Sequence, residues 1–219
     1  TQATVFGGDG DDTISADLHL PGDRSRLHGE GGEDTLVAGS ANDARTELYG
    51  EDGDDRLVGH PGALLDGGPG NDRHELYGGA TGGPIGVMFG RGRGRESITF
   101  GEDESAGVHG LRFEVRIRSN DYRDLVVERD GEDLVLRIRD RDDRIAVPDF
   151  FAADGAHSGM TRVAVLQAGT DFVLSDSPDA GAVAARAADV LAEAQQWTGD
   201  DAAEIRVADI DETPHPRER

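Results

Sequence analysis

The 219-residue sequence predicts an all-β protein: a solenoid of short strands stacked coil on coil, then an antiparallel β-rich module, then a C-terminal helix. Three observations carry this expectation. Glycine is unevenly spread, with 26 of 32 in residues 1–110 and six beyond. Four glycine–aspartate segments in that first half share one frame. Short runs between residues 111 and 174 alternate apolar and polar side chains, which is the period of a half-buried strand.

The repeats come first. GGDGDDTIS at 7–15, GEGGEDTLV at 29–37, GEDGDDRLV at 50–58 and GGPGNDRHE at 67–75 each place Gly at positions one and four. Position six is always aspartate: Asp12, Asp34, Asp55 and Asp72. Position eight is aliphatic in three of them, as Ile14, Leu36 and Leu57. A degraded fifth copy, RGRGRESIT at 91–99, has Glu96 in place of the aspartate. Successive acids lie 22, 21, 17 and 24 residues apart (34−12, 55−34, 72−55, 96−72). A second register runs alongside, with Leu27, Leu48, Leu65 and Met88 two residues before Gly29, Gly50, Gly67 and Gly90. The unit is therefore a glycine turn, a short strand, a variable return loop and a second short strand. No single coil buries its apolar pair, so several must stack.

Gly-Gly-x-Gly-x-Asp-x-aliphatic-x resembles the nonapeptide of the RTX (repeats-in-toxin) haemolysin-type proteins. The resemblance implies a parallel β-roll with Ca2+ held between turns stacked on one edge. It further implies secretion from a Gram-negative-type bacterium through type I export machinery. In regular arrays of that family the nonapeptides follow one another directly. Here ADLHLPGDRSRL (16–27) and AGSANDARTE (38–47) stand where alternate copies would be. One edge is therefore expected to carry metal and the other to be irregular loop. That limits the complete sites to about three: Asp12/Asp34, Asp34/Asp55 and Asp55/Asp72.

The residue types suit the ion. Calcium takes six to eight oxygens from carboxylates and backbone carbonyls. Glycine lets the backbone adopt positive φ and turn its carbonyls toward one point. The candidate ligand positions are Gly8, Gly10 and Asp12; Gly29, Gly32 and Asp34; Gly50, Gly53 and Asp55; and Gly67, Gly70 and Asp72. One such hexapeptide is ordinary loop chemistry in a solvated segment. Four in one frame, with an apolar co-register, are a structure.

Beyond residue 100 the texture changes. LRFEVRI (111–117), DLVVE (124–128), DLVLRIR (133–139), RIAV (144–147), MTRVAVL (160–166) and DFVL (171–174) read as strands, with Asp130-Gly131 as a hairpin turn. Their succession resembles the β-rich module that flanks haemolysin-type repeats, and it would cap the last open coil. Ser177-Pro178-Asp179 starts a helix, with Val183, Ala187, Val190, Ala194 and Trp197 on one face. Residues 198–219 read as an acidic flexible tail; in the family, an export signal lies in this region. The expected division is a roll over 1–99, a cap over 100–175, and helix with tail over 176–219.

Charge and composition exclude other classes. The 22 basic residues are all arginine, and 45 acids bring the net charge to −23. Such a chain repels nucleic acid and anionic membrane surfaces. Absence of cysteine removes disulfides and thiol chemistry. No apolar run reaches membrane-spanning length, and TQATVFGGDG lacks the pattern of a signal peptide. Thr1 at the start predicts a segment of something larger.

Gly155-Ala156-His157-Ser158-Gly159 has histidine where a nucleophile elbow needs serine, so it reads as a loop. Asp140, Asp142 and Asp143 do not fit an EF-hand loop, and the arginine–glycine run 90–95 reads as a degraded turn facing neighbouring carboxylates. His28, His60 and His74 read as loop residues beside turns. The sequence thus predicts a monomeric, non-enzymatic calcium-binding module. The alternatives are a carrier for an upstream enzyme or toxin (a protease, lipase or haemolysin) and a surface adhesion module.

Overall fold

In each repeat the chain leaves one strand, turns at the glycines and enters a second, so successive strands fall alternately into two sheets. The computed structural model describes residues 2–16, 24–39, 45–78, 83–101, 113–118, 125–149, 160–167, 170–173 and 205–206. The first sheet begins with β1 (Gln2–Asp9), β3 (Arg24–Gly31), β5 (Arg45–Asp52), β7 (Leu64–Asp66) and β9 (Ile85–Phe89). The second holds β2 (Thr13–Ser15), β4 (Thr35–Val37), β6 (Arg56–Gly59), β8 (Arg73–Leu76) and β10 (Arg95–Phe100). All neighbours within these two sets pair in parallel. The described residues are all-β, with no helix among them, and the parallel stacking is consistent with a β-roll.

The register puts like residues on top of one another. Leu27, Leu48, Leu65 and Val87 form one inward column of the first sheet. Leu36, Leu57, His74 and Ile98 form the facing column of the second. All eight are buried, and each leucine so removed from water contributes about 1.5–3 kcal/mol. Val87 and Phe89 point inward, and the expected Met88 is only half-buried. The reason is the strand period of two: the fifth turn begins at Arg91, and Phe89 is the residue two before it.

The expected separate antiparallel cap is replaced by a continuation of both sheets. β11 (Phe113–Arg118) pairs in parallel with β9 on one side and with β15 (Met160–Gln167) on the other. β12 (Leu125–Asp130) and β13 (Asp133–Ile138) form the expected hairpin around Gly131, whose φ is +64°. β14 (Arg144–Val147) is antiparallel to β13 and parallel to β10, which carries the second sheet one rung further. β16 (Thr170–Val173) closes antiparallel on β15. The open edges of β9 and β10 explain the arrangement, since a following strand satisfies their unpaired N–H and C=O groups by repeating the same ladder. β17 (Ile205–Arg206), within the stretch expected as a tail, pairs with β12. The proposed helix from Ser177 to Trp197 and the 155–159 loop lie outside the described residues. Among the described residues no helix is long and apolar enough to cross a membrane.

Candidate metal centre

Every passage from the first sheet to the second on this edge is a glycine turn, and the parallel register stacks those turns. Thr35 N–H donates to Asp12 O, Arg56 N–H to Asp34 O, and Arg73 N–H to Asp55 O, each at 2.8 Å. Asp12, Asp34, Asp55 and Asp72 therefore stand in one column. A side-chain ladder follows it: Asp12 N–H donates to Asp34 Oδ1 at 2.8 Å, Asp34 N–H to Asp55 Oδ1 at 2.8 Å, and Asp55 N–H to Asp72 Oδ1 at 2.9 Å. One carboxylate oxygen each of Asp34, Asp55 and Asp72 is engaged in this way. The other, Oδ2 of Asp34, Asp55 and Asp72, is buried and has no hydrogen-bond partner.

Each of those oxygens faces the first glycine of its own turn. A Cβ on Gly29 would run into Asp34 Oδ2 and Gly50 O, and one on Gly50 would run into Asp55 Oδ2 and Gly67 O. In the first turn the same place on Gly7 lies 2.7 Å from Asp12 Oδ2 and 2.8 Å from Gly29 O. On Gly67 the neighbour is Asp72 Oδ2. A carboxylate of one turn and a carbonyl of the next thus converge where only glycine leaves room. At position four the demand is conformational as well. Gly53 has φ +143° with Gly32 O against it, Gly32 has φ +140° with Gly10 O against it, and Gly10 has φ +110°. Gly70 packs against Gly53 O, and Gly8, at position two, has φ +108°. The twelve candidate positions named from the sequence therefore all lie on this one stacked edge.

The electrostatics of the column are those of acids short of counter-charge. Burial pushes Asp55 up to about 6, with the charge of Asp34 adding to it and the Asp34 N–H opposing it. Burial, then Glu96, pushes Asp72 up to about 8. A carboxylate cut off from water takes up a proton or needs a cation. Among the described residues no three acidic or histidine side chains converge on a point. A cation here would be held by an aspartate Oδ2 and by carbonyls of adjacent turns. An all-oxygen, partly neutral donor set of this kind suits a hard ion such as Ca2+.

Sequence reasoning missed what His74, Glu96 and Asp143 do on this edge, while its expectation that arginines of the 90–95 turn face neighbouring carboxylates is met by Arg93 and Asp66. His74, read as a loop residue, lies in β8 and is fully buried, because position eight of its repeat points inward whatever occupies it. Its Nε2 is 2.5 Å from Glu96 Oε2. Burial lowers His74 to about 4 and raises Glu96 to about 9, each toward its uncharged form. Arg93 is buried against Asp66. Asp143 accepts the N–H groups of Gly92 (3.0 Å) and Gly94 (2.8 Å), and so extends the stack of turns by one step. Its partners are 51 and 49 residues away in sequence, a pairing that no local motif signals.

A parallel two-sheet solenoid with aspartate–glycine turns stacked on one edge defines the class of protein. Residues 4–18, 22–44 and 47–63 match the family described as RTX calcium-binding nonapeptide repeat (4 copies). The N-terminal 63 residues therefore carry haemolysin-type RTX repeats, a repeat family that binds Ca2+. The turn 67–72 lies beyond the matched residues and keeps the same geometry. No curated protein matches the chain.

Proposed function

We propose that this chain is a calcium-binding module of a secreted protein, in which Ca2+ ions between stacked turns convert an extended acidic segment into the roll. One observation carries the reading: the buried, unpartnered Oδ2 atoms of Asp34, Asp55 and Asp72 recur rung after rung against the first glycine of their turns, with a glycine carbonyl of the next turn beside those of Asp34 and Asp55. The ligand sets are assigned to the turns of Gly8, Gly10 and Asp12; Gly29, Gly32 and Asp34; Gly50, Gly53 and Asp55; and Gly67, Gly70 and Asp72. They form three sites, Asp12/Asp34, Asp34/Asp55 and Asp55/Asp72, within a roll over 1–99. Residues 100–175 extend and cover its end, and 176–219 supply the region in which the family carries its export signal.

The energetics favour a switch. Without metal, a chain of net charge −23 gathers buried carboxylates on one edge at a cost that glycine-rich turns do not offset. Calcium binds only the stacked state, and at ten times Kd each site adds about 1.4 kcal/mol, so that three add about 4 kcal/mol. That decides folding for a domain near the lower limit of stability, about 5 kcal/mol. Extracellular calcium modules have Kd of about 10⁻⁴–10⁻³ M, so the roll forms outside the cell and not in the cytosol. Passage through type I export machinery in the unfolded state follows. Far-ultraviolet circular dichroism of the full chain tests the switch, with β-sheet signal expected in millimolar calcium and lost in chelator. Identical spectra contradict it.

The exposure of Val5 (42%) and Phe6 (60%) on edge strand β1 favours one refinement, in which a further rung or domain covers that surface and this module is its carrier. A catalytic motif encoded upstream of Thr1 supports the refinement, and a stop there removes it.

A further inference from the structure

The fourth interval, between the turns 67–72 and 91–96, is joined differently from the three before it. Glu96 stands level with Asp72 in the aspartate column, yet its carboxyl turns inward to the imidazole of His74 at 2.5 Å, and both side chains are fully buried. Arg93 occupies the third position of its turn, where the earlier turns have Asp9, Gly31, Asp52 and Pro69. It is 6% exposed, and both terminal nitrogens of its guanidinium pair with the two carboxylate oxygens of Asp66, Nη1 with Oδ1 and Nη2 with Oδ2. Asp66 immediately precedes Gly67, so this pair ties the fifth turn back to the fourth across the interval in question. The positive charge of Arg93 also acts on Glu96 and His74. A sealed guanidinium thus lies among acidic groups of two successive turns, whereas the third position of the preceding turns carries no cation.

We infer that Arg93 is a tethered cation standing in place of a metal ion in the fourth interval, so that the calcium sites end at Asp55/Asp72 and the last rungs hold together without calcium. The inference rests on the calcium reading of the first three intervals and concerns where that array stops. A guanidinium is charged at every physiological pH and cannot be removed by dilution or chelation. A rung closed by it is a permanent template. In a solenoid each repeat contacts only its neighbours, so folding spreads from whichever rung forms first. The fourth and fifth coils would then be the surface on which the calcium turns close, one after another, toward β1.

Hydrogen exchange read by mass spectrometry on the full chain, in chelator, tests this directly with the wild type, R93K and R93Q. In the wild type, the amides of β8 and β10 are expected to exchange at least a hundredfold more slowly than those of β2 and β4, roughly the scale on which a broken buried ion pair opens a structure. R93K, which keeps the cation, retains much of that protection, and R93Q loses it. In excess calcium R93Q is expected to regain protection at β4 and β6, which separates loss of the template from general misfolding. Equal exchange of β8 and β2 in the wild type, or full protection in chelated R93Q, overturns the inference. A wild-type chain that takes up no calcium by calorimetry overturns the calcium reading, and with it the role of Arg93 as a metal replacement.

Discussion

Glu30 and Glu51 hold φ angles of +77° and +75° at the second position of their turns, where the first and fourth turns have Gly8 and Gly68 at +108° and +109°. A side chain in this left-handed region costs about 1–2 kcal/mol, of which glycine returns part through its greater freedom when unfolded. Glu51 also places its Oε1 2.8 Å from His28 Nδ1, a contact that belongs to Glu51 and not to Glu30. Glu30→Gly is therefore the cleaner change, and urea denaturation in calcium should show it more stable by about 0.5–1 kcal/mol. The opposite change at Gly53 meets both a φ of +143° and the carbonyl of Gly32. Gly53→Ala should cost roughly 2 kcal/mol or more in the same assay, since the backbone must move to admit the methyl. The sequence made these turn positions legible through their spacing. It concealed which of them tolerate a side chain, because that depends on the turn stacked above.

At the scale of the stacked turns, the carboxyl column makes stability depend on pH with a sign set by the missing counter-charge. Asp55, Asp72 and Glu96 are raised in the fold to about 6, 8 and 9, while their unfolded values lie near 4. Their contribution to the metal-free fold is thus fully present below about pH 4 and is lost as pH rises toward 9. His74 works the other way: lowered to about 4, it stabilises above pH 6.5 and loses that effect as pH falls toward 4. Three acids outweigh one imidazole. Urea denaturation in chelator should find the chain more stable at pH 5 than at pH 8, and excess calcium should reverse the order, because ligand carboxyls release protons on binding metal. The glycine frame gave away the turns, the strands on either side and the aliphatic columns. It did not give away the contact of His74 with Glu96, since the histidine stands in the aliphatic column level with Ile98, the glutamate stands in the aspartate column level with Asp72, and only the packed side chains bring the two together.

For the whole molecule, the sequence indicated a solenoid and then a separate antiparallel cap, and the strands assigned to that cap instead continue the two sheets. The alternation in β11 to β16 identified strands, but pattern alone does not say whether a strand adds in parallel to an existing sheet or begins a new one. The edges left open by β9 and β10 decide it. Such a molecule should respond to calcium as a stack: each ion bridges two rungs, and Asp55 belongs to two intervals at once. Asp55→Ala should therefore remove about two sites and Asp12→Ala about one, a difference visible in calcium stoichiometry. The most direct measurement is a calorimetric calcium titration of the metal-stripped chain beside an Asp34→Ala/Asp55→Ala double variant. The account predicts about three ions for the parent and loss of essentially all cooperative uptake in the variant; a variant that titrates like its parent would contradict it.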